Sequence, residues 1–108
     1  MNPRLVARCR DKLIEISRRR STITYGELAT HLGVANLSIG KYLNAVYNDL
    51  VVNQGLPEVT LLAVRKGTQY GWYHSRGGAA QSVEFDPADP RQRALYDSDR
   101  ERVYGHWA

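Results

Sequence analysis

The stretch that decides the fold is Thr24-Tyr25-Gly26-Glu27-Leu28-Ala29-Thr30-His31-Leu32-Gly33-Val34, followed by Ile39, Tyr42 and Leu43. Thr24-x-x-Glu27 is a capping box: the threonine side chain satisfies one free amide and the glutamate reaches back to another. A helix is therefore expected from about Tyr25 to Leu32. It stops at Gly33, where the chain needs a positive φ that a side chain would resist. A further helix is expected from about Asn36 to Val51 or Val52, ended by Asn53-Gln54-Gly55 and then Pro57. Leu28, Leu32, Val34, Ile39 and Leu43 provide the apolar faces that lock these two helices at a steep angle, and Ala29 is small where the later helix crosses.

On the N-terminal side, Leu5, Val6, Cys9, Leu13 and Ile16 recur at three- and four-residue steps, predicting a helix from Pro3 to about Arg19. Asn2 is its cap, Pro3 its first residue, and Arg18-Arg19-Arg20 complements the dipole at its end. Ser21-Thr22-Ile23 reads as a short extended linker or a small strand. On the C-terminal side, Val59–Val64 is a short, apolar, β-branched run. It ends in Arg65-Lys66-Gly67-Thr68, and Tyr70–Tyr73 is the expected partner strand of a hairpin. Ser75–Ala80 reads as a loop, and Ser82-Val83-Glu84-Phe85 can add a brief strand. Asp89-Pro90 caps a charged last helix to about Tyr104, with a thin apolar stripe of Ala94, Leu95, Val103 and Trp107.

Helix, short extended piece, helix, helix, strand, strand is the order of an α+β winged-helix domain, with the hairpin as the wing. Residues 1–85 are assigned to that domain and 86–108 to a helical extension packed on it. The Glu27–Leu43 pattern resembles the helix-turn-helix superfamily, a likeness that bears on the fold more than on the ligand, since some winged helices bind proteins. Ile23–Ala29 with Ile39-Gly40-Lys41-Tyr42-Leu43 further resembles the DNA-binding domain of alkyltransferase-like proteins and alkylguanine alkyltransferases. That resemblance implies that Tyr25 works at a DNA phosphate. It also places Leu37 where the family carries an arginine. The Pro-Cys-His-Arg or Pro-Trp-His-Arg signature is absent, the corresponding stretch reading Leu61-Leu62-Ala63-Val64-Arg65. Shared architecture is implied, not shared repair. Thr24–Ala29 is also similar to small uncharacterised bacterial and prophage proteins.

Charge is unevenly distributed. The chain carries a net +4. Residues 1–48 hold eight Lys and Arg against three acids, a net of +5, and residues 49–108 hold seven against eight, a net of −1. A basic front half suits a polyanion, because each neutralised phosphate releases a counterion, although a solvated helix surface gives the same count. Double-stranded DNA is the expected partner. In a helix-turn-helix the early part of the second helix enters the major groove. Its outward positions would be Ala35, Asn36, Ser38, Lys41, Asn44 and Asn48. Asn36 and Asn44 can pair with adenine, Ser38 can reach a base edge or phosphate, and Lys41 a guanine or phosphate. Asn36 can equally serve as a helix cap, and Lys41 as a solvated lysine. Arg65 and Lys66 at the wing tip suit the backbone, and Arg76 can extend that surface. A single such motif reads a short site, so a homodimer or a partner protein is expected, with the last helix as the contact. The alternative is a protein-interaction module using Leu37 and the aromatic C-terminal helix.

Catalysis is not expected. His31, His74 and His106 lack metal-ligand spacing, so no metal or other cofactor is assigned. Cys9 lies on an apolar helix face, and one cysteine forms no internal disulfide. Gly77-Gly78 lacks the spacing of a phosphate loop. The aromatic residues crowding the second half can stack on unpaired bases or pad a small core. No apolar run nears the roughly 18 residues of a membrane span, no secretion signal is read at the start, and a reducing, cytoplasmic setting is expected.

Overall fold

The computed structural model describes residues 2–71, 86 and 88–108. The strand expected at Ser82–Phe85, the loop at Ser75–Ala80, and Trp72, Tyr73, His74 and Arg76 lie outside them. The described residues are mostly helical, with one small parallel sheet. Helix α1 spans Pro3–Arg18, capped by the Asn2 side chain, which accepts from the Arg4 amide at 2.9 Å. Strand β1 (Ile23–Thr24) leads directly into α2 (Tyr25–Leu32). Both bonds of the capping box form: Thr24 Oγ1 accepts from the Glu27 amide at 3.1 Å, and Glu27 accepts from the Thr24 amide at 3.2 Å. Gly33 ends the helix at φ +71, and the Val34 amide returns to the Ala29 carbonyl at 3.0 Å. Such a left-handed ending satisfies carbonyls that the helix leaves open.

The third helix departs from regularity at both ends. Asn36–Ser38 is a 3-10 turn, α3 proper is Ile39–Tyr47, and Asn48–Val52 widens into a π turn. Its N-cap is Ala35, with no side-chain hydrogen bond, so Asn36 is not the cap.

Val59–Val64 differs from the expected strand. Val59–Leu62 coils into a 3-10 turn, with the Leu61 amide donating to the Glu58 carbonyl at 3.2 Å, and only Ala63–Val64 remains as strand β2. The physical reason is burial on all sides: Val59, Leu61 and Leu62 are fully enclosed, and a short continuous apolar run suits a buried turn as well as a strand. Strand β2 pairs with β1, in parallel, with Ile23 beside Ala63 and Thr24 beside Val64. The turn that follows does fold back. The Arg65 amide donates to the Tyr70 carbonyl at 3.0 Å, and the Thr68 amide to the Arg65 carbonyl at 3.0 Å.

Helix α4 (Pro90–His106) begins at the expected cap, Asp89, and runs two residues beyond the expected end. Its inward face keeps Val103 and Trp107 of the expected stripe and departs from it elsewhere. Tyr96, Val103 and Tyr104 are buried, whereas Ala94 and Leu95 face outward. Arg100 lies between Tyr96 and Val103 on the inward face, and its guanidinium rests over the rings of Tyr70 and Tyr96. A charged head on an apolar stem completed a face that a count of apolar residues alone does not reveal.

The core gathers Cys9, Leu13 and Ile16 of α1, Leu28, Ala29 and Leu32 of α2, Ile39, Tyr42, Leu43 and Val46 of α3, the Val59–Leu62 turn, and the inner side of α4. Ser17, buried where α1 meets α4, donates to the Val103 carbonyl at 3.3 Å. Burial pushes the Cys9 thiol up to about 12, so it remains protonated and inert at neutral pH. No described helix is long and apolar enough to cross a membrane.

Candidate nucleic-acid interface

The helix pair α2–α3 sets the geometry of the candidate surface. Ala29 is fully buried where the helices meet, and Ile39, Tyr42, Leu43, Val46 and Tyr47 turn α3's apolar side inward. The opposite side is therefore presented to solvent. Leu37, Lys41, Asn44 and Asn48, at steps of four, three and four, are all exposed and share that side. Ser38 is half-buried. From Ala35 to Asn48 the chain carries no acidic residue, and Lys41 is its cation. Lys41 is exposed, and its ammonium lies over the Tyr42 ring, 5.6 Å from the ring centre, in a cation–π contact.

Two close approaches at the start of α2 relate this side to the turn after β2. The Asn36 amide nitrogen lies 3.7 Å from where a Cβ on Gly26 would stand. The Tyr25 hydroxyl lies 2.5 Å from where a Cβ on Gly71 would stand. Adjacent residues of α2 thus lie beside the opening of the third helix and the far end of the Arg65–Tyr70 turn. Tyr25 itself is half-buried and packed against the core. Its hydroxyl sits beside Gly71.

Arg65 and Lys66 stand exposed at the turn, with no ion pair to another described residue. The base of the turn is held from behind. The Thr68 hydroxyl lies 3.0 Å from the Arg65 and Tyr70 carbonyls, and Arg100 donates to the Gln69 carbonyl at 2.5 Å. Tyr70 meets Tyr96 edge to face, with ring centres 5.1 Å apart. Below them the Tyr96 hydroxyl donates to the Leu61 carbonyl and accepts from the Gly71 amide. Sequence reasoning missed Arg100 and Tyr96 as supports of this turn. The available signal was their four-residue spacing, with Val103 three residues further on.

The basic front half resolves into different uses. Arg8 donates to the His31 carbonyl at 2.9 Å, a cation at the C-terminal end of α2. Arg10, Lys12, Arg19 and Arg20 make ion pairs with Asp11, Glu15, Glu15 and Glu101. Within the Arg18–Arg20 triplet, Arg19 and Arg20 are thus paired with acids, and the outward cations of the candidate surface are Lys41, Arg65 and Lys66. The C-terminal aromatics expected as a sticky surface are instead interior: Tyr96 and Tyr104 are buried, and Trp107 is half-buried against the core. Among the described residues no group of His, Cys, Asp and Glu has the arrangement of a metal site.

The chain matches no family model, no curated protein and no solved structure.

Proposed function

We propose that this chain is a non-catalytic DNA-binding protein of winged-helix type, in which α2 and α3 form the helix-turn-helix and the Arg65–Thr68 turn is the tip of the wing. The observation that carries the reading is the acid-free, amide-bearing side of α3, which stands clear of the core with Lys41 at its centre. On this reading Asn44 and Asn36 meet base edges, Ser38 and Lys41 meet bases or phosphates, and Arg65 and Lys66 meet the backbone. Such a surface suits a small regulator, which reaches an adequate site length as a homodimer or with a partner protein.

Fluorescence anisotropy with mixed duplex fragments tests the proposal. Binding is expected at micromolar concentrations or tighter. If Lys41, Arg65 and Lys66 each neutralise one phosphate, log K falls against log salt with a slope of about −3. Lys41→Glu combined with Lys66→Glu abolishes binding while circular dichroism stays unchanged. Binding indifferent both to salt and to these charges rejects the proposal. A second reading, a protein-interaction module, rests on the complete exposure of Leu37 alone, now that Tyr96 and Tyr104 are interior. Capture of a specific protein that is lost in Leu37→Asp, with no duplex affinity, selects it.

A further inference from the structure

Leu37 is 100% exposed, whereas the other large apolar side chains exposed among the described residues, Val52 and Leu95, are 42% and 44% exposed. Isolated surface leucines are common, and exposure alone decides nothing. The setting of this one is informative. It is the middle residue of the 3-10 turn that opens the third helix, so it stands at the tip of the helix rather than along its flank. Its companions on the outward side are Lys41, Asn44 and Asn48, and no carboxylate is present from Ala35 to Asn48. A protein groove that accepts leucine is usually reached by an apolar stripe with anchors at successive turns. Here the residues one, two and three turns on are lysine and two asparagines.

We infer that Leu37 reads thymine, by packing against the 5-methyl group at the floor of the major groove. This inference rests on the DNA-binding reading and gives it a base preference. The methyl of thymine is the apolar group that base pairs offer in that groove, and the pattern facing asparagine amides is that of adenine. Guanine is read by arginine or lysine, and this inference gives Lys41, the cation of α3, to a phosphate. No arginine occurs between Ser21 and Val64, so α2, α3 and their turn bring none to the bases. Apolar tip, amide flank and absent arginine select A·T pairs together. Because Leu37 contributes nothing to the core, it can be altered without disturbing the fold, which makes the assignment directly testable.

The test begins with selection of bound sites from a random-sequence duplex library by the full chain. The best duplex is then prepared twice, once with thymine and once with every thymine replaced by deoxyuridine, which removes only the methyl. Loss of one buried methyl weakens binding about fourfold. The wild-type chain should therefore prefer the thymine duplex by about fourfold for each methyl contacted. Leu37→Ala should bind both duplexes equally, at the affinity of the wild type for the deoxyuridine duplex. Equal wild-type affinity for the two duplexes, with salt-dependent binding intact, overturns the thymine assignment and leaves DNA binding standing. A thymine preference that persists in Leu37→Ala overturns it as well. Failure of Lys41→Glu with Lys66→Glu to weaken either duplex, or absence of any duplex binding, removes the DNA-binding reading itself.

Discussion

The Arg20 guanidinium meets the Glu101 carboxylate at 2.5 Å and lies 4.9 Å from the centre of the Tyr104 ring, joining the end of α1 to the last helix. Arg20 holds φ +52, outside the usual range for a residue with a side chain. The Ser21 amide returns from there to the Ile16 carbonyl at 3.1 Å, and Tyr104 donates to the Ser21 carbonyl at 2.9 Å. The left-handed conformation costs an arginine about 1 kcal/mol. The ion pair is more than half exposed, so screening limits it to at most about 1 kcal/mol. The two effects nearly cancel. Arg20→Gly is expected to change stability by less than about 0.5 kcal/mol in urea melts, removing strain and contact together. In a double-mutant cycle Glu101→Gln should be destabilising beside Arg20 and silent beside glycine, the coupling vanishing in 1 M salt.

Tyr96 supports both the Val59–Leu62 turn and the start of the segment after Tyr70. Tyr96→Phe removes its bonds to the Leu61 carbonyl and the Gly71 amide and leaves both buried, at an expected cost of about 2–3 kcal/mol in urea unfolding. Burial also raises the Tyr96 phenol above the ordinary range, and burial raises Tyr47 and Tyr104 as well. A group whose folded pKa is raised stabilises fully below its unfolded pKa, about 10 for tyrosine, and loses that contribution as pH rises through the folded value. Alkaline unfolding is therefore expected above about pH 10. Tyrosinate absorbance from these residues should rise together with the loss of helical circular dichroism, and tyrosinate appearing first would contradict it.

Gly71 and Gly40 should respond in opposite directions to the same substitution. A Cβ on Gly71 would lie 2.1 Å from the Ala63 carbonyl oxygen, a backbone atom fixed in β2, so Gly71→Ala forces a shift costing about 1–3 kcal/mol. A Cβ on Gly40 meets nothing within 4 Å, and Gly40 lies within α3. Gly40→Ala should stabilise by about 0.5–1 kcal/mol by removing unfolded-state freedom, raising the thermal midpoint.

The capping box makes a prediction about acid. The Thr24 side chain, and then the Thr24 amide, hold the Glu27 carboxyl below the ordinary glutamate range. A depressed folded pKa gives stability that is present above the unfolded value and lost as pH falls through the folded one. Carbon-detected NMR titration should show Glu27 titrating at lower pH than an unpaired glutamate. In Thr24→Ala it should return toward the ordinary value, and removal of the threonine cap should itself cost about 1 kcal/mol at neutral pH.

Much of this architecture is legible in the chain because its signals are local. Asn2 and Pro3, Thr24 and Glu27, and Asp89 and Pro90 each place a helix start within a few residues, and Gly33 places a stop, since capping is settled between neighbours. The outward positions of α3 followed from the same periodicity, and Lys41 and Asn44 are exposed as expected. That Ala35 rather than Asn36 is the cap, and that the Tyr25 hydroxyl sits beside Gly71, were not so readable. The neighbours concerned, Gly26 for Asn36 and Gly71 for Tyr25, are brought near them only by the folded chain.

What the amino-acid order determined by itself, then, is where helices begin, where α2 ends and which side of each early helix is apolar. Those outcomes are decided within one or two turns of chain. What only the tertiary structure decided is the coiling of Val59–Leu62, the parallel pairing of Ile23–Thr24 with Ala63–Val64, and the inward turn of Tyr96, Arg100 and Tyr104. Each of these joins residues far apart in the chain. Apolar burial is indifferent to backbone conformation, so enclosure by distant neighbours, and the hydrogen bonds left to be satisfied there, made the choice.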